Sequence, residues 1–128
     1  MKNKKAFDVK RGSVYLADLG NEDQNLGSEQ AGVRPVVVTQ SNRQNEKSPT
    51  IIVAIITSQI KKEKMDCHVI LPKVKGLPKQ SMVCCEQRRT IDKQRLLRYC
   101  CTLSNEVMEE VTRACHKAEE ADKKRRRW

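Results

Sequence analysis

Two runs of β-branched residues constrain this chain more than any other feature: Pro35 to Gln40 and Thr50 to Thr57. Val and Ile follow one another there without polar alternation, the pattern of strands covered on both faces. Between them, Ser41 to Pro49 is polar and holds Asn42, Asn45, Ser48 and Pro49, so it reads as a turn-forming connection. Ser13 to Leu19, opened by Arg11-Gly12, predicts an earlier strand. Asp66 to Leu71 and Ser81 to Glu86 predict two more, with a turn at Gly76-Leu77-Pro78 before the last. Short strands with turn signals at this spacing predict a small barrel or sandwich.

The last third changes period. Thr90 to Leu97 fits a short helix with Ile91, Leu96 and Leu97 turned inward. Ser104 is a helix N-cap, Glu106 lies in the first turn where the helix dipole favours an acid, and Leu103 and Met108 stand at staple positions around the cap. Val107, Met108, Val111, Ala114, Cys115 and Ala118 then form an apolar stripe at helical spacing, which reads as core packing. The expected class is mainly β with C-terminal helices. A chain of 128 residues has room for one core: a domain over 1–118, then a flexible basic extension over 119–128.

Charge bounds the partners. Twenty-six Lys and Arg against sixteen Asp and Glu leave a net charge of +10, which favours polyanions because phosphate contacts release counterions. Much of the excess lies at the ends, in Lys2, Lys4, Lys5, Lys10 and Arg11 and again in Lys123 to Arg127. Such runs also occur as plain solvated tails. The longest apolar run, Ile51 to Ile56, is far too short to span a bilayer, and no signal peptide or membrane partner is expected. The six cysteines include the adjacent pairs Cys84-Cys85 and Cys100-Cys101 in apolar stretches, where cysteine acts as a small hydrophobe. A reducing, cytoplasmic setting follows. No C-x-x-C is present, and His68 and His116 lack ligand spacing with the cysteines, so neither a zinc site nor any other metal or cofactor is expected.

One segment stands apart. Gly20 to Gly32 is a polar loop of thirteen residues in which only Leu26 and Ala31 are apolar. Loops of that length in compact domains are functional or disordered. This one feeds into Arg34, which Pro35 biases to extended backbone, while Thr57 ends the Ile51 to Ile56 run. If the two strands pair as an antiparallel hairpin, Arg34 and Thr57 fall on the same edge. Pattern alone leaves two readings open: an ordinary surface arginine with a strand-terminal threonine, or a polyanion site. A Cys-His hydrolase is disfavoured, since His68 lies within a strand and His116 near a helix end.

A resemblance weighs between them. The run Gly27-Ser28-Glu29-Gln30-Ala31-Gly32-Val33-Arg34-Pro35-Val36-Val37-Val38 resembles the GSEQ-x-G-x-RP signature of MazF/PemK toxins. Ser48 to Ser58 resembles that family's second block and Glu86 to Leu96 its third, in family order, within a match from about Lys10 to Ala118. The resemblance implies an SH3-like small barrel of the MazF/PemK/CcdB type with appended helices, normally a homodimer. It further implies the toxin of a type II toxin-antitoxin system, a metal-independent, sequence-specific endoribonuclease (an mRNA interferase) acting on single-stranded RNA. Arg34 and Thr57 take the catalytic positions. Ser28, Glu29, Gln30, Ser58, Gln59 and Gln87 take RNA-contacting ones. A cognate acidic antitoxin, with which such toxins bind DNA, is the implied protein partner.

The residue types suit that chemistry. Attack of a ribose 2′-OH on the adjacent phosphate builds charge that a guanidinium fork stabilises, and a threonine hydroxyl can hold the same phosphoryl group in line. The expected ends are a 2′,3′-cyclic phosphate and a 5′-hydroxyl. The general base stays open, because arginine remains protonated. His68 could serve, or could have a packing or hydrogen-bonding role. Three departures from the family stand out: a longer loop between Leu19 and Gly27, Arg88 where an apolar residue is usual, and the basic tail. Two further readings are a CcdB-like toxin that binds gyrase, which leaves the three blocks unused, and an inactive RNA-binding relative, which the intact pair disfavours.

Overall fold

The structure is a computed structural model in which residues 8–20, 32–62 and 64–120 are described. Six strands occur in chain order: β1 (Ser13–Asp18), β2 (Val33–Val38), β3 (Thr50–Thr57), β4 (His68–Ile70), β5 (Met82–Asp92) and β6 (Leu96–Thr102). Helix α1 (Asn42–Lys47) lies between β2 and β3, and α2 (Asn105–Glu119) closes the described chain. The strands form one sheet in the order β4-β5-β3-β2-β1-β6, every neighbouring pair antiparallel.

The two β-branched runs become β2 and β3, side by side at the centre. Successive side chains alternate between faces, and both faces are covered. Val37, Ala54 and Ile56 join the cluster under α2, with Val83, Met108, Val111, Ala114 and Cys115. Val36, Val38, Val53 and Ile55 join a second cluster on the other face, with Tyr15, Ala17, Ile91 and Leu96. The sheet is not closed among the described residues, but it curls enough for the β5–β6 connection to cover this second face, which is the barrel-like form expected. Each Val or Ile so buried contributes roughly 1.5–3 kcal/mol, so these strands dominate the core.

Helix α2 forms as expected. The Ser104 hydroxyl accepts from the Val107 N–H at 3.2 Å, Leu103 and Met108 are both buried around that cap, and the buried residues are Met108, Val111, Ala114 and Cys115. Ala118, at the end of the stripe, is exposed.

Two expectations fail. Thr90 to Leu97 is not a helix: it is the end of β5, a single 3-10 turn over Lys93–Arg95, and the start of β6. Ile91 and Leu96 are buried as foreseen, but Leu97 is 45% exposed. Register with β3 (Ile51↔Ile91, Ile52↔Thr90) supplies strand partners that no local pattern announces, and the Asp92 carboxylate accepts from Gln94 N–H at 2.8 Å to cap the turn. The second failure is Ser41 to Pro49, which contains α1 rather than turns alone. Ser41 caps it, and Asn45, only 2% exposed, donates to the Gln40 carbonyl at 3.1 Å. This helix is held by caps and one buried amide, so hydrophobic periodicity does not register it.

Candidate active site

The β2–β3 ladder pairs Val36 with Ile55, Val37 with Ala54 and Val38 with Val53. Followed outward by two residues, that register brings Arg34 level with Thr57. Steps of two keep side chains on one face, so both belong to the face of Val36 and Ile55, opposite α2. Arg34 is half-buried and also paired with Ala17 of β1. Its position is tied to the long loop at the stem: Leu19 N–H donates to the Gly32 carbonyl and Gly32 N–H to the Gly20 carbonyl, both at 2.8 Å. Gly32 has φ +78, a conformation that favours glycine. Ser28, Glu29 and Gln30 lie outside the described residues, as does the tail from 121 onward.

The half-buried Thr57 accepts from Gln59 N–H at 3.1 Å through its Oγ1. The bond fixes the side chain while leaving its O–H proton to donate. Ser58 and Gln59 are exposed beside it.

Gln87 is set by an irregularity in β5. Ala54 pairs with Arg88 but Ile55 with Cys84, so Cys85, Glu86 and Gln87 bulge out of the ladder. Bulges re-aim side chains next to functional sites. The bulge also separates Gln87 from Arg88. Arg88 sits opposite Ala54, on the α2 face, where it donates to the Cys85 carbonyl at 3.0 Å and pairs with Glu119. The charge expected near the RNA path is thus turned onto the other face and matched by an acid.

Two arginines not assigned from sequence converge on the loop stem instead. Arg95 donates to the Asp18 carbonyl at 2.9 Å and Arg89 to the Leu19 carbonyl at 3.3 Å. Both occur in the third sequence block, but their placement depends on long-range pairing: Arg95 precedes Leu96, which pairs with Ala17 of β1, and Arg89 reaches the stem from β5. With Arg34 they make the end of β1 a cationic corner.

His68 has the hydrogen-bonding role. Its side chain is 6% exposed, with Nδ1 at 2.8 Å from the Lys62 carbonyl and Nε2 at 3.0 Å from the Glu86 carboxylate. Burial opposes its charge, yet Glu86 and that carbonyl outweigh burial and raise its pKa. It pairs with Cys84, which pairs in turn with Ile55, so it lies two strands from Thr57 and is not adjacent to it. The six cysteines are all free, and burial pushes the Cys84 thiol up to about 11, unlike an activated nucleophile. No helix among the described residues is long and apolar enough to cross a membrane.

Comparison with known proteins agrees with this architecture. Residues 10–118 match the profile of the PemK-like, MazF-like toxins of type II toxin-antitoxin systems. The chain is 50% identical over 107 residues to Endoribonuclease EndoA of Bacillus subtilis, covering 83% of this chain and 90% of that protein. The fold is similar to crystalline MazF from Deinococcus radiodurans (TM-score 0.73, 20% identity, 88% of this chain and 97% of that one). It is equally similar to a mycobacterial endoribonuclease solved in complex with its cognate antitoxin (TM-score 0.73, 19% identity, 89% and 97%). With the profile spanning all six strands and α2 up to its last residue but one, the chain belongs to the PemK-like, MazF-like toxin family of type II toxin-antitoxin systems.

Proposed function

We propose that this chain is a cytoplasmic toxin that cleaves single-stranded mRNA at short sequences without a metal, by 2′-OH attack on the adjacent phosphate. The observation that carries this reading is the register that sets Arg34 level with Thr57 on one face, beside the stem of the long loop. Arg34 stabilises the charge gathering on the non-bridging oxygens and on the leaving 5′ oxygen. Thr57, fixed by Gln59 N–H, donates its hydroxyl to the phosphoryl group and holds it for in-line attack. The 5′ oxygen leaves with a proton, giving a 2′,3′-cyclic phosphate and a 5′-hydroxyl. Ser58, Gln59 and Gln87, with Ser28, Glu29 and Gln30 of the loop, contact the RNA.

A cognate antitoxin with an acidic segment fits the same cationic corner, and opposite charge speeds their encounter. The Endoribonuclease EndoA relative and the toxin–antitoxin complex among the structural neighbours support both halves of the proposal. A second copy of the chain completes the active form, and edge strand β6, with Leu97 and Tyr99 exposed, is one surface open to it.

The test is cleavage of a long single-stranded RNA in EDTA, with primer extension to read the cut sites. Cuts at a recurring short sequence and sparing of duplex RNA are expected. Loss of cleavage on chelation contradicts the metal-free mechanism.

A further inference from the structure

Away from Arg34 and Thr57, the β4–β5 pair gathers three side chains that the proposed RNA chemistry does not use. Cys67 Sγ, an imidazole nitrogen of His68 and a carboxylate oxygen of Glu86 all lie within 4.8 Å of one another. We propose that they form a binding site for a divalent cation of the zinc class, held by Cys67 Sγ, His68 Nε2 and Glu86.

The hydrogen-bonding around His68 carries the argument. Nδ1 faces the Lys62 carbonyl at 2.8 Å, an acceptor only, so Nδ1 carries a proton. Nε2 faces the Glu86 carboxylate at 3.0 Å, also an acceptor. A neutral ring would therefore point a lone pair at a carboxylate. Either a second proton or a cation must stand between them, and a buried thiol stands within reach of the same point. Zinc takes one thiolate, one imidazole and one carboxylate readily, and three protein ligands leave the fourth tetrahedral position to water.

The groups around these three side chains hold them in place. An imidazole ligand is usually oriented by a carbonyl on its other nitrogen, which is the part played by Lys62. Lys62 has φ +53, the only positive φ of a non-glycine residue among the described residues, so strained backbone presents that carbonyl. The Cys67 backbone is pinned by Cys85 N–H donating to its carbonyl at 2.9 Å, and His68 is in register with Cys84. Cys67 is 5% exposed and the Glu86 side chain 35%, so access runs past the carboxylate. Tetrahedral zinc needs donors about 3.3–3.7 Å apart, given bonds of about 2.3 Å to sulfur and about 2.0 Å to nitrogen or oxygen. Seating the ion requires His68 and Glu86, now 3.0 Å apart, to part by a few tenths of an ångström, and Cys67 Sγ, within 4.8 Å of both, to close to the same spacing. Binding releases one proton from the thiol and one from the ring. The resulting thiolate and the carboxylate balance the ion, adding no charge to an already basic chain.

The full chain, stripped of metal, is titrated with Co²⁺ and then Zn²⁺. One equivalent of Co²⁺ is expected to produce a near-ultraviolet sulfur-to-cobalt band with the visible bands of four-coordinate cobalt, and Zn²⁺ to displace both. Cys67→Ser should abolish the sulfur band while Cys84→Ala keeps it. His68→Gln and Glu86→Gln should each weaken binding by at least about tenfold. In the unmutated protein, the His68 Nε2 nitrogen resonance should move on Zn²⁺ addition, which guards against variants that fail to fold. No saturable binding at micromolar protein, a sulfur band that survives Cys67→Ser, or a still Nε2 resonance overturns the proposal. Arg34→Ala should retain the cobalt spectrum, so failure of the ribonuclease reading and failure of this site are separable.

Discussion

Arg34 and Thr57 are asked to do different work, and substitutions can separate it. Arg34→Ala removes a preorganised cation and is expected to lower the cleavage rate by at least about two orders of magnitude, measured on long single-stranded RNA with the thermal unfolding midpoint held as a control. Arg34→Lys keeps charge but loses the fork, so it should recover only part of that loss. Thr57 supplies one hydroxyl. Thr57→Val should cost about 10- to 100-fold, the range of a hydrogen bond to a charged group, while Thr57→Ser stays much closer to the parent. If valine and serine behave alike, the hydroxyl has no part in holding the phosphoryl group.

The strands and helices hold these residues by local devices whose removal has a readable stability cost. Gly76 turns the chain toward β5 with φ +101, and a Cβ there would press into the Cys100 carbonyl oxygen. Gly76→Ala should destabilise by more than about 1–3 kcal/mol, read as a lower denaturant midpoint. Ser104→Ala removes the α2 cap and should cost about 1 kcal/mol. The β5 bulge sets Gln87 apart from Arg88, so element geometry rather than residue type turns Arg88 onto the α2 face, where it pairs with Glu119.

At the scale of the whole molecule, charge governs encounter. With a formal charge of +10, RNA affinity should fall linearly with salt on a log–log plot, measured by titrating labelled single-stranded RNA into Arg34→Ala, whose slowed cleavage should leave the RNA intact during the titration. Deleting Lys123 to Trp128 should weaken that binding modestly and flatten the slope. A collapse of binding would show that the tail belongs to the site. The proposed second copy and the proposed antitoxin belong to this scale as well, since either would engage a surface rather than a single side chain.

The sequence by itself determined the central strands, the capped C-terminal helix and the family. Uninterrupted β-branched runs, a serine cap with its staple and three ordered blocks are local signals that survive without coordinates. It also located Arg34 and Thr57 at strand ends, because hydrophobic runs stop where the chain becomes polar. Tertiary structure decided the rest. Thr90 to Leu97 became strand and turn because β3 offered pairing partners, and Arg88 went to the α2 face because a bulge shifted the register. Arg95 met the loop stem because β6 pairs with β1, and Arg89 reached it from β5, across β3 and β2. Sequence spacing did not bring Glu86 together with Cys67 and His68, since Glu86 comes from a neighbouring strand. Each of these depends on contacts between residues far apart in the chain, whose energies no local window contains.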